Sequence, residues 1–412
     1  MKITREDCLA LDARDPLAGL RGRFALPDNV IYLDGNSLGA LPRHVPSRMR
    51  TVVEDEWGAG LIRSWNDAGW IEAAHRTAEK IARLIGAGVD EVIVADSTSV
   101  NLFKLLVAAM RLRAGRDLLL TSIGNFPTDA YIAQGAADLL GAELRFVEPD
   151  MSSVVAALGS RVAVLAMTHV DYRTGRILSM HEITAAAHAA GALMLWDLSH
   201  SAGALEVDLD DASVDLAVGC GYKYLNGGPG APAYAYVARR LIDQVRQPLS
   251  GWFGHAEPFA FAADYVSAPG IDRMQCGTPP MLSLAALESA LEVFDDVSVA
   301  ALRAKSMALS DLFIRLADET LEGLGVTVES PRDASLRGSQ VSLKHVDGYA
   351  IVQALIANGV IGDFRAPDIL RFGLTPLYVR FVDVFDAVHA IERVVRAGEW
   401  NHPRFLARKS VT

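Results

Sequence analysis

Asp215-Leu-Ala-Val-Gly-Cys-Gly-Tyr-Lys223-Tyr-Leu-Asn-Gly-Gly-Pro-Gly230 sets an apolar run, a lysine and a glycine-rich stretch in immediate succession. Leu216 to Gly219 has the length and composition of a buried strand, so Lys223 stands just past a strand end. Gly227-Gly228-Pro229-Gly230 lacks both the P-loop and the dinucleotide fingerprints and reads as a tight turn. Working outward, Glu91 to Ala95, Leu118 to Thr121, Leu144 to Val147, Val162 to Ala166, Leu193 to Trp196 and Ala233 to Val237 are further strand candidates, separated by helical patterns. This alternation predicts an α/β fold with a mostly parallel, seven-stranded sheet covered by helices.

After Gly270 the pattern changes. Long amphipathic helices are expected over Met281 to Phe294 and Val299 to Leu324, then a strand over Ser339 to Leu343, a helix from Tyr349, a strand near Ile369 to Leu374 and a last helix from Val382. The expected organisation is an N-terminal segment (1–50) packed with a small α+β C-terminal domain (276–412), and a large domain (51–275) between them. A chain of 412 residues, 51% hydrophobic and 22% charged, readily buries such a core. Its net charge of −11 argues against a nucleic-acid partner, since that affinity rests on clustered Lys and Arg. Cys8, Cys220 and Cys276 are too few and too scattered for a disulfide framework or a zinc site, which fits a cytoplasmic protein without a metal. Acidic residues near the amino terminus and the lack of a long apolar run imply neither a signal peptide nor a membrane role.

Open α/β sheets bind ligands beyond the carboxyl ends of their strands. The residues there are Asp96-Ser97-Thr98-Ser99, Asn125-Phe126-Pro127-Thr128-Asp129, Thr168-His169, Asp197-Leu198-Ser199-His200 and Tyr222-Lys223. A lysine in a partly buried strand-end setting favours its neutral amine, which can form a Schiff base and later carry a proton; an isolated lysine more often only reaches for water. Asp197 ends the apolar run Ala192 to Trp196, where a carboxylate is costly without a cation or strong donor. It reads equally as a partner for a protonated aromatic nitrogen and as a helix cap. Thr98 and Ser99 open a helix and suit either a phosphate or ordinary capping. Phe126 is placed to stack on a flat ring, although a lone Phe is more often core.

With these residues in place, the sequence resembles the fold type I, aspartate-aminotransferase-like enzymes of pyridoxal 5′-phosphate, and within them the kynureninase family. The resemblance is carried by Tyr32-Leu-Asp-Gly-Asn-Ser-Leu-Gly39, Asn125-Phe-Pro-Thr-Asp129, Thr168-His-Val-Asp-Tyr-Arg-Thr-Gly175, Trp196-Asp-Leu-Ser-His-Ser-Ala-Gly203, Gly221-Tyr-Lys-Tyr-Leu-Asn-Gly-Gly-Pro-Gly230, Leu249-Ser-Gly-Trp-Phe-Gly-His255 and Arg371-Phe-Gly-Leu-Thr-Pro-Leu-Tyr378. It implies that Lys223 bonds the cofactor, Asp197 pairs its ring nitrogen, Thr98, Ser99 and Tyr222 hold its phosphate, and Phe126 stacks on it. Asp129, Thr168 and His200 would complete the pocket. Trp252 and Thr278 would reach a phosphate across the interface of a homodimer, Arg371 would clamp the substrate carboxylate, and Trp65 would lie near the substrate's aromatic ring. Arg371 also suits a carboxylate by its planar fork, against the commoner fate of a surface ion pair, and Trp65 could equally be core.

The activity so implied is hydrolysis of L-kynurenine, or of 3-hydroxykynurenine, in tryptophan catabolism or NAD biosynthesis, with Lys223, Tyr222 and Asp197 catalytic. Trp65 and Thr278 match the members that act on kynurenine itself; His and Asn are expected there in those that prefer the 3-hydroxy form. A cysteine desulfurase on the same fold would need a thiol on a mobile loop, yet no cysteine follows Cys276, and Tyr222 stands where His is usual before the lysine. An aminotransferase and a silent cofactor-binding sensor are the other readings, since fold does not fix reaction.

Overall fold

The computed structural model describes residues 2–408. A two-residue strand β1 (Ile31–Tyr32) precedes the strands of the main sheet: β2 (Val92–Val94), β3 (Leu118–Ser122), β4 (Glu143–Val147), β5 (Val162–Thr168), β6 (Leu193–Asp197), β7 (Leu216–Gly219) and β8 (Tyr234–Val237). The seven strands β2 to β8 lie in the order β2-β8-β7-β6-β5-β3-β4, with β8 antiparallel to both neighbours and the run β7-β6-β5-β3-β4 parallel. All seven expected strands are present, within about two residues at their ends. The inner strands are buried on both faces, which is why they read as unbroken apolar runs. Edge strand β4 is exposed over much of its length and carries Glu143 and Arg145 as an ion pair, a charged edge that discourages further strand pairing.

The C-terminal unit holds a four-stranded antiparallel sheet in the order β12-β13-β10-β9, from β9 (Thr327–Val328), β10 (Gln340–Lys344), β12 (Asp363–Arg365) and β13 (Ile369–Gly373). Helices Val299–Thr320 and Phe381–Ala397 pack together beside it. The N-terminal segment joins this unit: β1 pairs in parallel with β11 (Val360–Ile361), helix Arg5–Asp12 lies on helix Phe381–Ala397, and Arg5 meets Asp386 at 2.8 Å. Helix Met281–Ala290, expected in the small domain, packs instead on helices Val45–Thr51 and Ala73–Ile85, so residues just past 275 still lean on the large unit. Its apolar residues are spread around its circumference, so its packing partner could not be read from one face.

Candidate active site

Parallel strands β3, β5, β6 and β7 lead into polar residues at the same end of the sheet. β5 ends in Thr168 and β6 in Asp197, both buried, and the loop after β7 carries Tyr222 and Lys223. After β2, Asp96 turns the chain in a left-handed conformation (φ 50°) and is held by fully buried Lys104 at 2.7 Å. Ser97 then caps helix Thr98–Leu112, its hydroxyl accepting from the Val100 amide. The first-turn amides of Thr98 and Ser99 precede the helix's own hydrogen-bond ladder, so they point outward as anion donors. Phe126 precedes Pro127 at the start of helix Pro127–Leu140, which places Asp129 in the first turn.

These residues converge. Thr98, Ser99, Phe126, Asp129, Thr168, Asp197, His200, Tyr222 and Lys223, all expected from the sequence, line one cavity of about 90 Å³ together with Thr128, Tyr172 and Ser199. Lys223 Nζ lies 3.0 Å from His200 Nε2 and 5.8 Å from the centre of the Phe126 ring. Burial, then the charge of Lys223, presses the His200 imidazole well below its ordinary pKa, so the ring is neutral and Nε2 accepts from the lysine. Its proton therefore sits on Nδ1, which is buried and has no hydrogen-bond partner among the described residues.

Asp129 and Asp197 are neighbouring carboxyls that are both nearly inaccessible. Burial, then the charge of Asp197, raises the Asp129 pKa far above the usual carboxylate range. Asp129 thus keeps its proton while Asp197 accepts from the Ser199 amide at 2.8 Å. Tyr222 is shifted upward by burial, with Cys220 and Asp197 adding to it, so its phenol is a donor. The cavity therefore offers an amine, a carboxylate beside a protonated carboxyl suited to a cationic ring nitrogen, an aromatic face, an unmatched imidazole N–H and a helix start suited to phosphate. These groups fit pyridoxal phosphate.

Four expected residues lie outside this cavity. Trp65 packs against Trp70 and Phe253, each with ring centres 5.8 Å away. Trp252 and Thr278 are exposed and share a surface, since the Phe253 amide donates to Cys276 O at 3.1 Å. Arg371 stands close to the cavity, its Nη1 donating to Tyr172 O at 2.8 Å, but its fork meets a carboxylate of the protein itself: Nε and Nη2 hold Asp363 at 2.9 and 2.6 Å. Register explains this, because Asp363 on β12 sits directly opposite Arg371 on β13. With Ser37 Oγ taking another Nη2 proton at 2.8 Å, one Nη1 N–H is left for a ligand. Breaking a pair this buried costs about 3–5 kcal/mol, so Asp363 is part of the fork rather than a competitor that leaves.

Tyr172, Ser37 and Asp363 were not anticipated. Ser37 arrives in the loop Tyr32 to Gly39, which runs against the lysine loop: the Gly39 amide donates to Tyr222 O at 2.8 Å, and a Cβ on Gly39 would fall 2.3 Å from Lys223 O. That motif therefore acts as a clasp between the two units.

The same architecture occurs in solved structures. The cysteine desulfurase of Thermococcus onnurineus NA1 superposes with a TM-score of 0.78 at 19% identity, covering 92% of this chain and 98% of that one. The cysteine desulfurase of Escherichia coli gives 0.78 at 20%, with the same coverage. Fold and site together define a pyridoxal-phosphate-dependent enzyme of fold type I. The kynureninase of Pseudomonas fluorescens is 51% identical over 99% of this chain and 100% of its own length, and that of Burkholderia mallei (strain SAVP1) is 50% identical over the same shares. A family model described as the kynureninase C-terminal domain matches residues 302–391. The chain belongs to the kynureninase family.

Proposed function

We propose that this chain hydrolyses L-kynurenine to anthranilate and L-alanine, working as a cytoplasmic homodimer in tryptophan catabolism, with pyridoxal phosphate held by Lys223. The observation that carries the reading is the Lys223–His200 contact of 3.0 Å in a cavity walled by the Asp129–Asp197 pair. Pyridoxal phosphate, when bound, supplies an aldehyde for covalent attachment and a ring that stores electrons from the substrate.

Lys223 would hold the cofactor through its Nζ amine, and that amine, once free, would carry the substrate's α-proton. Neutral His200 accepts from that amine and keeps it oriented. Asp197 would hold a protonated ring nitrogen, and the neutral Asp129 carboxyl would limit the negative charge beside it. Thr98 and Ser99 would donate to the cofactor's phosphate, and Phe126 would cover one face of its ring. Water would add to the γ-carbonyl, the Cβ–Cγ bond would break, Cγ would leave in the carboxylate of anthranilate, Cβ would take a proton, and Lys223 would return the α-proton to Cα to complete L-alanine. The Tyr222 phenol, kept protonated by its surroundings in the same cavity, would serve as the donor to Cβ.

A desulfurase would need a thiolate. Burial pushes the Cys8 thiol up to about 11 and raises Cys220 and Cys276 as well, the opposite of activation. Trp252, Phe259 and Phe261 are 38, 61 and 78% exposed, an aromatic surface that supports a second subunit at the site. Among the described residues no helix is long and apolar enough to cross a membrane. The direct test mixes the purified protein with cofactor and kynurenine and follows anthranilate fluorescence. Silence with both kynurenine and its 3-hydroxy form would end the assignment.

A further inference from the structure

Arg371 has a neighbour of the same kind. Arg365, two residues along β12 from Asp363, brings Nη2 to 2.7 Å from Asp363 Oδ2 and 3.4 Å from Ser37 Oγ, while Nη1 donates to Phe364 O at 3.1 Å. Its Nε is buried and has no partner among the described residues. Arg365 is near enough for its charge to act on His200 and Tyr172, which both line the Lys223 cavity.

Charge balance shows what is missing. Two guanidinium groups share the one carboxylate of Asp363, which is itself 1% exposed. The next carboxyl is Asp34, raised to about 7 by burial and then by the charge of Asp363, and its Oδ1 is also buried without a partner. Whenever Asp34 holds its proton, the cluster carries one surplus positive charge. A partly buried surplus of this kind is stable when an anion meets it. The Nη atoms of Arg365 suffice to brace Asp363, so its buried Nε–H is a donor to spare, and a buried donor without a partner is costly until a ligand meets it.

We propose that Arg365 is a second donor to the substrate's α-carboxylate, giving the Nε–H that joins the remaining Nη1–H of Arg371. This rests on the reading of Arg371 as the carboxylate site. It makes the device for recognising an amino acid a pair of arginines pinned by one aspartate, with Arg365 setting selectivity for the carboxylate.

The test uses the cofactor-loaded enzyme and equilibrium binding of L-alanine and of ethylamine, its counterpart without the carboxylate, read from the absorbance of the bound cofactor. Arg365→Gln should weaken L-alanine by about ten- to a hundredfold, as for a lost charged hydrogen bond, and leave ethylamine within about twofold. Arg365→Lys keeps the charge but not the Nε–H, so L-alanine should weaken by a smaller factor; this variant decides the matter if the Gln form does not retain cofactor. Equal loss for both ligands, or full alanine affinity in Arg365→Lys, overturns the proposal. Arg371→Gln, run in parallel, separates the two levels. If it spares L-alanine, the carboxylate site itself is misplaced; if it weakens L-alanine while Arg365→Gln does not, only the role of Arg365 falls.

Discussion

The cavity at Lys223 and the surface around Trp252 are built in opposite ways. The first is buried, polar and assembled from the ends of adjacent strands, with Lys223 held by His200 and Asp197 held by the Ser199 amide. The second is exposed, aromatic and carried on short 3₁₀ turns and loops, with Trp252 against Phe253 at 4.5 Å and against Phe259 at 5.7 Å. One chain thus holds a buried cavity whose residues fit a cofactor and a separate set of exposed aromatic groups. Covalent chemistry needs atoms fixed within tenths of an ångström, which a buried sheet end supplies. Recognition of a substrate ring tolerates looser loops, provided another surface closes over them.

The largest effect should come from the buried side. Lys223→Ala removes both the attachment point and the proton carrier, and turnover should fall by about 10²–10⁴-fold or more. Borohydride treatment of the wild type should fix the cofactor on the peptide that contains Lys223. An adduct on any other lysine, found by mass spectrometry, breaks the assignment.

The exposed side should govern choice of substrate rather than chemistry. Trp65→His with Thr278→Asn should move the preference toward 3-hydroxykynurenine by about tenfold to a hundredfold in the ratio of kcat/KM, since a hydrogen-bonding site discriminates a hydroxyl better than an apolar one. An unchanged ratio would detach this surface from the substrate. Trp252→Ala should then weaken subunit association by about 2 kcal/mol, the scale of an interface anchor, while the secondary structure of the subunit is retained. Sedimentation at decreasing protein concentration measures this. Dissociation matching that of the wild type would mean that the aromatic surface serves something other than a second copy.

The two regions also differ in how far they could be read from the chain alone. Strands β5 to β7 were visible because a sheet covered on both faces demands continuous apolar runs, and polar Thr168 and Asp197 then stand out at their ends. The nine expected residues that line the cavity followed from those ends plus the family resemblance. Arg371 was visible, but its partners were not: Asp363 is set opposite it by register, and Ser37 comes from more than 300 residues away, neither of which leaves a local pattern. The nine-residue π-helical stretch Val52–Gly60, with Trp57 55% exposed, was likewise hidden, because its spacing departs from the usual helical period. A core aromatic and a substrate-facing aromatic look alike in sequence, so nothing local in the chain foretold the packing of Trp65 on Trp70 and Phe253.

The smallest effect probes what the buried site costs before its cofactor arrives. Asp129 has a folded-state pKa raised above its unfolded value of about 3.9. As pH rises past that unfolded value, the unfolded chain releases this proton while the folded chain keeps it, so stability falls with increasing pH. The group therefore contributes most favourably in acid and opposes folding progressively from about pH 4 upward. Asp129→Asn cannot ionise, and should remove this part of the slope in the cofactor-free protein. Its melting temperature relative to wild type should be higher at pH 8 than at pH 5, by about 2–4 °C. The same comparison with cofactor bound should shrink, because a cationic ring nitrogen beside Asp197 offsets the repulsion that holds the proton on Asp129. A difference that is equal with and without cofactor would place the ring nitrogen away from this pair, and with it the partner assigned to Asp197.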